Sequence, residues 1–187
     1  MSALVKQPFD IEDVLNRIAK LMVHYPKAAM VQLYEEGYTS MFEQLMACII
    51  SIRTLDEVSI PVSQRLFSKA RTPAQLLKLS PQELEGLLYG SSYNGQKAYT
   101  MLGIAQTVIN QYNGEVPADY ELLTNLKGVG PKCANLTLGI AAKVPAVSVD
   151  SHVHRVVNRL GLCANQNTRE KLVSTRETSA PKPVDRR

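Results

Sequence analysis

Residues 126–134, LKGVGPKCA, constrain the fold of this chain more than any other stretch. Gly128 and Gly130 stand one residue apart, just ahead of Pro131. Glycine permits the tight backbone turn. Proline suits the first turn of a helix, where a backbone N–H is not needed. Asp119, a capping residue type, precedes the apolar set Leu122, Leu123 and Leu126. The pattern therefore predicts two short helices joined by a glycine turn, the second beginning at Pro131.

Such a helix start is a ready anion site, and phosphate is the usual anion. Lys132 falls in the first helical turn, where a cation opposes the helix dipole. Local misfits of this kind collect at active sites. The dipole also favours the neutral amine, which is the nucleophilic form. Eighteen residues after Lys132 stands Asp150, followed by Ser151 and His152. A phosphate-gripping loop, an activated lysine and a carboxylate point to amine chemistry on a nucleic acid backbone. Each piece also has a plain reading. The glycine pair can be a simple turn, and Lys132 a solvated lysine. Asp150 can cap a helix bearing Val153, Val156, Val157 and Leu160. Capping and catalysis can coexist.

The rest of the chain reads as helical, without repeats or sustained strand alternation. Asp10 precedes Ile11, Val14, Leu15, Ile18, Leu21 and Met22, a 3.6-residue rhythm that Pro26 ends. Ser40 with Glu43, and Ser80 with Glu83, read as capping boxes. Leu45, Met46, Ile49 and Ile50 follow the first of them. Asp56 starts a helix that must hold Pro61 in its first turns or kink there. Thr72 and Pro73 open a short helix. A long amphipathic stretch carries Ala98, Met101, Leu102, Ala105, Val108, Ile109 and Tyr112. It stops at Asn113 and Gly114. Residues 144–147, VPAV, form an extended linker. Residues 164–187 are too polar to offset their ordering entropy and read as a disordered tail, with a short helix over 168–175 as an option.

Net charge is +4, compatible with a nucleic acid partner and equally with a solvated basic face. Cys48, Cys133 and Cys163 are scattered and odd in number, which argues against a disulfide framework and for a reducing compartment. No apolar run reaches transmembrane length.

The stretch LKGVGPKCANLTLGIAAKVPAVSVDSHVHRVVNRLGL resembles the helix-hairpin-helix DNA glycosylases, most closely endonuclease III. That family's pattern runs L-x-G-V-G-x-K-x-A-N, then V-D-T-H-V-x-R-V-x-N-R. It is matched at Leu126, Gly128, Val129, Gly130, Lys132, Ala134 and Asn135, and again at Val149, Asp150, His152, Val153, Arg155, Val156, Asn158 and Arg159. Residues 50–59, ISIRTLDEVS, and 113–117, NGEVP, also look like the family, so the likeness covers roughly residues 40–163.

The resemblance implies an all-α, two-lobed fold with a cleft between lobes. One lobe spans residues 29–143. The second is discontinuous, from residues 1–28 and 144–163, and reads as incomplete because the family's later helices have no counterpart in the tail. It implies that Lys132 attacks the sugar, that Asp150 assists, and that His152 and Arg155 support the site. Gly128, Val129, Gly130 and Lys127 would meet DNA phosphate, although Lys127 can equally be a solvated lysine. Arg53 or a neighbour would fill the gap left by a flipped base. The alternative for Arg53 is an ion pair with Asp56 or Glu57. Residues 93–98, YNGQKA, carry one residue more than the family's Y-N-x-K-A, so Tyr93 and Asn94 are both candidates to enter the DNA stack.

The implied activity is base excision by a bifunctional N-glycosylase and abasic-site lyase on oxidised pyrimidines. The implied partner is duplex DNA with a damaged base or abasic site, bound by a monomer; no membrane partner is implied. A DNA-binding protein without chemistry and a glycosylase without lyase action are the alternatives. The family's iron–sulfur cluster needs four cysteines, and three dispersed ones cannot build it, so no cofactor is expected. A metal site on Asp150, His152 and His154 is disfavoured, because residues two apart on a helix point in different directions.

Overall fold

A computed structural model of the chain describes residues 10–160. The polar tail, the helix considered over 168–175 and Cys163 lie outside the described residues. Among these there are helices and no strand. None of the helices is long and apolar enough to cross a membrane. The described residues divide into two units. Residues 12–148 make the larger one, and residues 10–11 with 149–160 belong to the other.

The larger unit is built around one helix that is covered on every side. Helices α1 (Ile11–Met22) and α2 (Ala29–Glu35) precede it, and it is α3 (Met41–Ser51). Every residue from Phe42 to Ile50 is buried. The capping box starts α3 where expected: the Ser40 hydroxyl accepts the N–H of Glu43, and Glu43 accepts the N–H of Ser40 at 3.0 Å. The apolar face expected from Leu45, Met46, Ile49 and Ile50 is thus only part of what is covered. An all-round buried helix belongs at a core centre. Its two polar side chains find partners, although Gln44 Oε1 is buried without one. Glu43 also meets Arg71, and the Gln44 amide donates to the Tyr38 carbonyl at 2.6 Å.

Around α3 pack α2, α4 (Asp56–Phe67), α7 (Asn94–Gln111) and α9 (Pro131–Ala141). Between them run α5 (Pro73–Leu76) and α6 (Pro81–Leu87), started by Thr72 and by the Ser80–Glu83 capping box. Helix α4 continues through Pro61. Helix α7 stops at Asn113 and Gly114, both at positive φ, of 52° and 85°. Helix α2 has no counterpart in the sequence reading. Its N-cap, Ala28, offers no side-chain acceptor. The Asp56 carboxylate supplies it instead, accepting the Ala29 N–H at 3.0 Å from the start of α4.

The smaller unit contributes α10 (Ser151–Leu160), which has no buried residue. Helix α7 buries Ala98, Met101, Ile104, Ala105 and Val108. Short helices are marginal without packing. Amide exchange should therefore be faster over residues 153–160 than over residues 98–109, by about two orders of magnitude or more. Equal protection in a hydrogen-exchange experiment would contradict this reading of α10.

Candidate nucleic-acid interface

The hairpin forms as the sequence predicts. Asp119 caps α8 (Tyr120–Asn125), its carboxylate accepting the Leu122 N–H at 3.0 Å. Val129 donates its N–H to the Leu126 carbonyl at 3.0 Å and closes the turn. Both of these side chains are buried, so Val129 anchors the hairpin inward. Between them Gly128 has φ +91°, and a Cβ there would lie 2.6 Å from the Thr100 methyl. Glycine is required at 128 for conformation and for space.

Gly130 is different. Its φ of −96° and ψ of 173° are open to any residue. A Cβ there would meet nothing within 4 Å. The absent side chain leaves open space in front of the helix start. Pro131 is the first residue of α9, and the Gly130 carbonyl takes the Ala134 N–H at 3.0 Å. Lys132 is exposed in that first turn, whereas Cys133 and Ala134 behind it are buried. The buried pair fixes which way Lys132 faces. Lys127 is exposed on the turn.

The linker after α9 doubles back along that helix. Val144 donates its N–H to Leu138 at 3.2 Å, the Asn135 amide donates to the Val147 carbonyl at 3.2 Å, and the Ser148 hydroxyl donates to the Lys132 carbonyl at 3.1 Å. Asn135, matched in the family pattern, thus supplies one of three ties between helix and linker.

A pocket of about 370 Å³ opens beside Gly128. Arg53, Tyr93, Gln96, Lys97 and Thr100 line it. The structure therefore brings three of the sequence candidates, Gly128, Arg53 and Tyr93, to one place. The Arg53 guanidinium donates to the Tyr93 hydroxyl at 3.3 Å and lies 5.8 Å from the ring centre. It does not take the alternative partner Asp56, which caps α2. Asn94 turns away toward α6, with its amide 3.5 Å from the Glu85 carbonyl. Both Arg53 and Tyr93 are in the left-handed region, at φ 55° and 58°. That conformation is costly for side chains of this size and persists only where the surroundings enforce it.

The enforcing network centres on Lys97, which the sequence reading passed over. Its side chain is buried, and Nζ donates to the Ile50 carbonyl at 2.7 Å, the Ile52 carbonyl at 2.9 Å and Thr54 Oγ1 at 3.1 Å. Thr54 Oγ1 also accepts the Ser92 N–H at 3.1 Å, and the Ser92 hydroxyl donates to the Arg53 carbonyl at 2.7 Å. One sequence signal marked it: Lys97 falls on the same helical stripe as Met101, Ile104 and Val108, where an apolar residue belongs.

Burial pushes the Lys97 pKa down to about 8 from 10.5. The ammonium persists at neutral pH with three oxygens around it. Between those two values the unfolded chain binds more proton than the folded one, so this group's contribution to stability rises with pH. In urea titrations, the stability of the wild type relative to Lys97→Met should grow by about 2 kcal/mol from about pH 7 to about pH 9.5. A pH-independent difference would show that the lysine keeps its ordinary pKa.

In the smaller unit Asp150 stands at the start of α10. One carboxylate oxygen accepts the N–H groups of His152 and Val153, each at 2.9 Å, and the Asp150 carbonyl takes the His154 N–H at 3.0 Å. Asp150 is thus a helix N-cap, whose carboxylate orientation is set by two backbone donors. His152 and Arg155 are exposed on α10, and Asn158 donates to His154 Nε2 at 2.9 Å. Among the described residues no three His, Cys, Asp or Glu side chains group as metal ligands.

Residues 46–182 match the family model described as the HhH-GPD superfamily base excision DNA repair protein. The chain is 42% identical over 123 residues to endonuclease III of Thermotoga maritima, over 66% of this chain and 58% of that protein. It is 32% identical over 172 residues to endonuclease III of Bacillus subtilis, over 92% of this chain and 75% of that protein. A solved structure of a trapped endonuclease III–DNA covalent intermediate superposes with a TM-score of 0.71 at 33% identity, covering 84% of this chain and 71% of that one.

Proposed function

We propose that this chain, which belongs to the HhH-GPD superfamily of base excision DNA repair proteins, excises a damaged base from duplex DNA and then cleaves the strand through a lysine Schiff base. The observation that carries this reading is Lys132, an exposed amine in the first turn of α9, directly behind the open approach left by Gly130. The solved relative was captured in a covalent state with DNA.

The damaged base first leaves the duplex stack, because its bond to the sugar cannot be reached inside it. Lys132 Nζ then attacks the sugar C1′. The bond from C1′ to the base breaks, and the base leaves with the electron pair and takes up a proton. The nitrogen gives up one proton, and its lone pair then expels O4′ from C1′; O4′ leaves with the bond pair and takes up a proton, leaving an iminium. Loss of a proton from C2′ drives electrons to C3′, and the phosphate leaves with the C3′–O bond pair. Asp150 carries the proton from the lysine in this scheme and stabilises cationic sugar character. Oxidised pyrimidines are the substrates we assign to it.

The family resemblance brings an iron–sulfur cluster with it, and the described cysteines do not fit one. Cys48 and Cys133 are buried on α3 and α9. Hydrogen bonding with Cys48, together with burial, pushes the Cys133 thiol well above its ordinary range. No step of the scheme runs through such a group.

Borohydride trapping on a duplex with one abasic site tests the reading. A covalent protein–DNA adduct is expected. Base release without an adduct would reduce the chain to a glycosylase without lyase action, and duplex binding with neither would leave a binding protein. The hairpin's part is separable. Gly130→Asp places a carboxylate in the open space before the helix start, so duplex affinity should fall by about tenfold or more while the melting temperature stays put. Unchanged affinity would remove the hairpin from the interface.

A further inference from the structure

We propose that Lys97 is a positioning residue: its buried side chain pins the loop on both sides of Arg53, so that Arg53 and Tyr93 stand at the pocket beside Gly128, ready to occupy the space of an extruded nucleotide. This rests on the reading that the chain acts on duplex DNA.

Burying an ammonium on an apolar stripe is expensive. The oxygens that Lys97 serves explain its presence. Ile50 lies in the last turn of α3, and Ile52 is its C-cap. Their carbonyls are short of intrahelical donors, and a cation suits that end of a helix. Lys97 contacts Ile52 and Thr54, the residues immediately before and after Arg53. Thr54 then relays the hold to Ser92, which precedes Tyr93, while Ser92 returns a bond to the Arg53 carbonyl. Two strained residues from separate loops are thereby tied through one buried group. Tyr93 is 60% exposed, so the paired side chains present themselves to the outside while their backbone is fixed from below. An unpinned arginine would lose several rotatable bonds of freedom on each binding event, and the pinned loop has already met part of that cost.

The test uses the full chain and a duplex with 2-aminopurine opposite an abasic site, whose fluorescence rises when the opposing base is unstacked. Lys97→Met should lower both the fluorescence rise and the single-turnover cleavage rate by about tenfold, with duplex affinity within about threefold of wild type. The double variant Lys97→Met with Arg53→Ala should be no slower than Arg53→Ala alone, because both changes remove one function. Wild-type fluorescence and rate in Lys97→Met would overturn the proposal. So would a double variant whose loss is the product of the two single losses, the signature of a merely structural lysine. If Lys97→Met fails to fold, Thr54→Val removes one acceptor and the Ser92 tie. It should show the same pattern at about threefold, and wild-type values there would overturn the proposal. A wild-type chain that neither cleaves nor raises the fluorescence overturns the functional reading instead. The pin is then read from the Ser92 amide, where an exchange rate in Lys97→Met equal to wild type would overturn it separately.

Discussion

Replacing Lys132 by glutamine should abolish borohydride trapping and slow strand cleavage by about a thousandfold or more, with duplex affinity unchanged. Glutamine is a good helix former, and Lys132 is exposed, so no core contact is lost. The bond from the Ser148 hydroxyl is to the Lys132 carbonyl, which the substitution leaves in place. Gly128, Gly130 and Val129 still shape the hairpin. The variant therefore separates chemistry from binding: a neutral amide cannot form the imine. Trapping at the wild-type level would assign the nucleophile to another amine, and a fall in melting temperature of several degrees would make the loss one of folding.

Asp150→Asn should slow single-turnover base release by about a hundredfold while leaving stability within about 0.5 kcal/mol. The two effects separate because of what the carboxylate does in the fold. Its oxygen accepts two backbone N–H groups at the start of α10. Asparagine caps a helix as well as aspartate does, so the structural task survives. The negative charge that would take the lysine proton does not. Asp150→Ala should add a loss of about 1 kcal/mol, since both N–H groups then lose their acceptor. Single-turnover kinetics beside chemical denaturation of both variants decide the matter. Near-normal rates in Asp150→Asn would leave Asp150 as a cap alone.

Where the structure agrees with the sequence, the interactions are local. Ser40 with Glu43, Ser80 with Glu83, and Asp119 with Leu122 are three residues apart, and each starts a helix in the structure as it does on paper. The same holds for Pro131 at the start of α9 and for the stop at Asn113 and Gly114. A spacing of three residues is visible in a string of letters, because one helical turn brings those residues together. The hairpin belongs to this class, and so does the cap at Asp150.

Tertiary structure alone decided the rest. Helix α2 has no cap of its own and receives one from Asp56, 27 residues away. The place of Lys97 on an apolar stripe has no explanation until α3 lays the carbonyls of Ile50 and Ile52 against it, 47 and 45 residues distant. Gly128 and Gly130 look equivalent in sequence. Thr100 on α7 makes the first a steric necessity, and nothing among the described residues requires the second. Arg53 chose Tyr93 over the nearby Asp56 because two loops meet at one pocket and Asp56 is already engaged. In each case the deciding partner is brought in by packing around α3. That packing is set by the summed burial of many side chains, which no local spacing records.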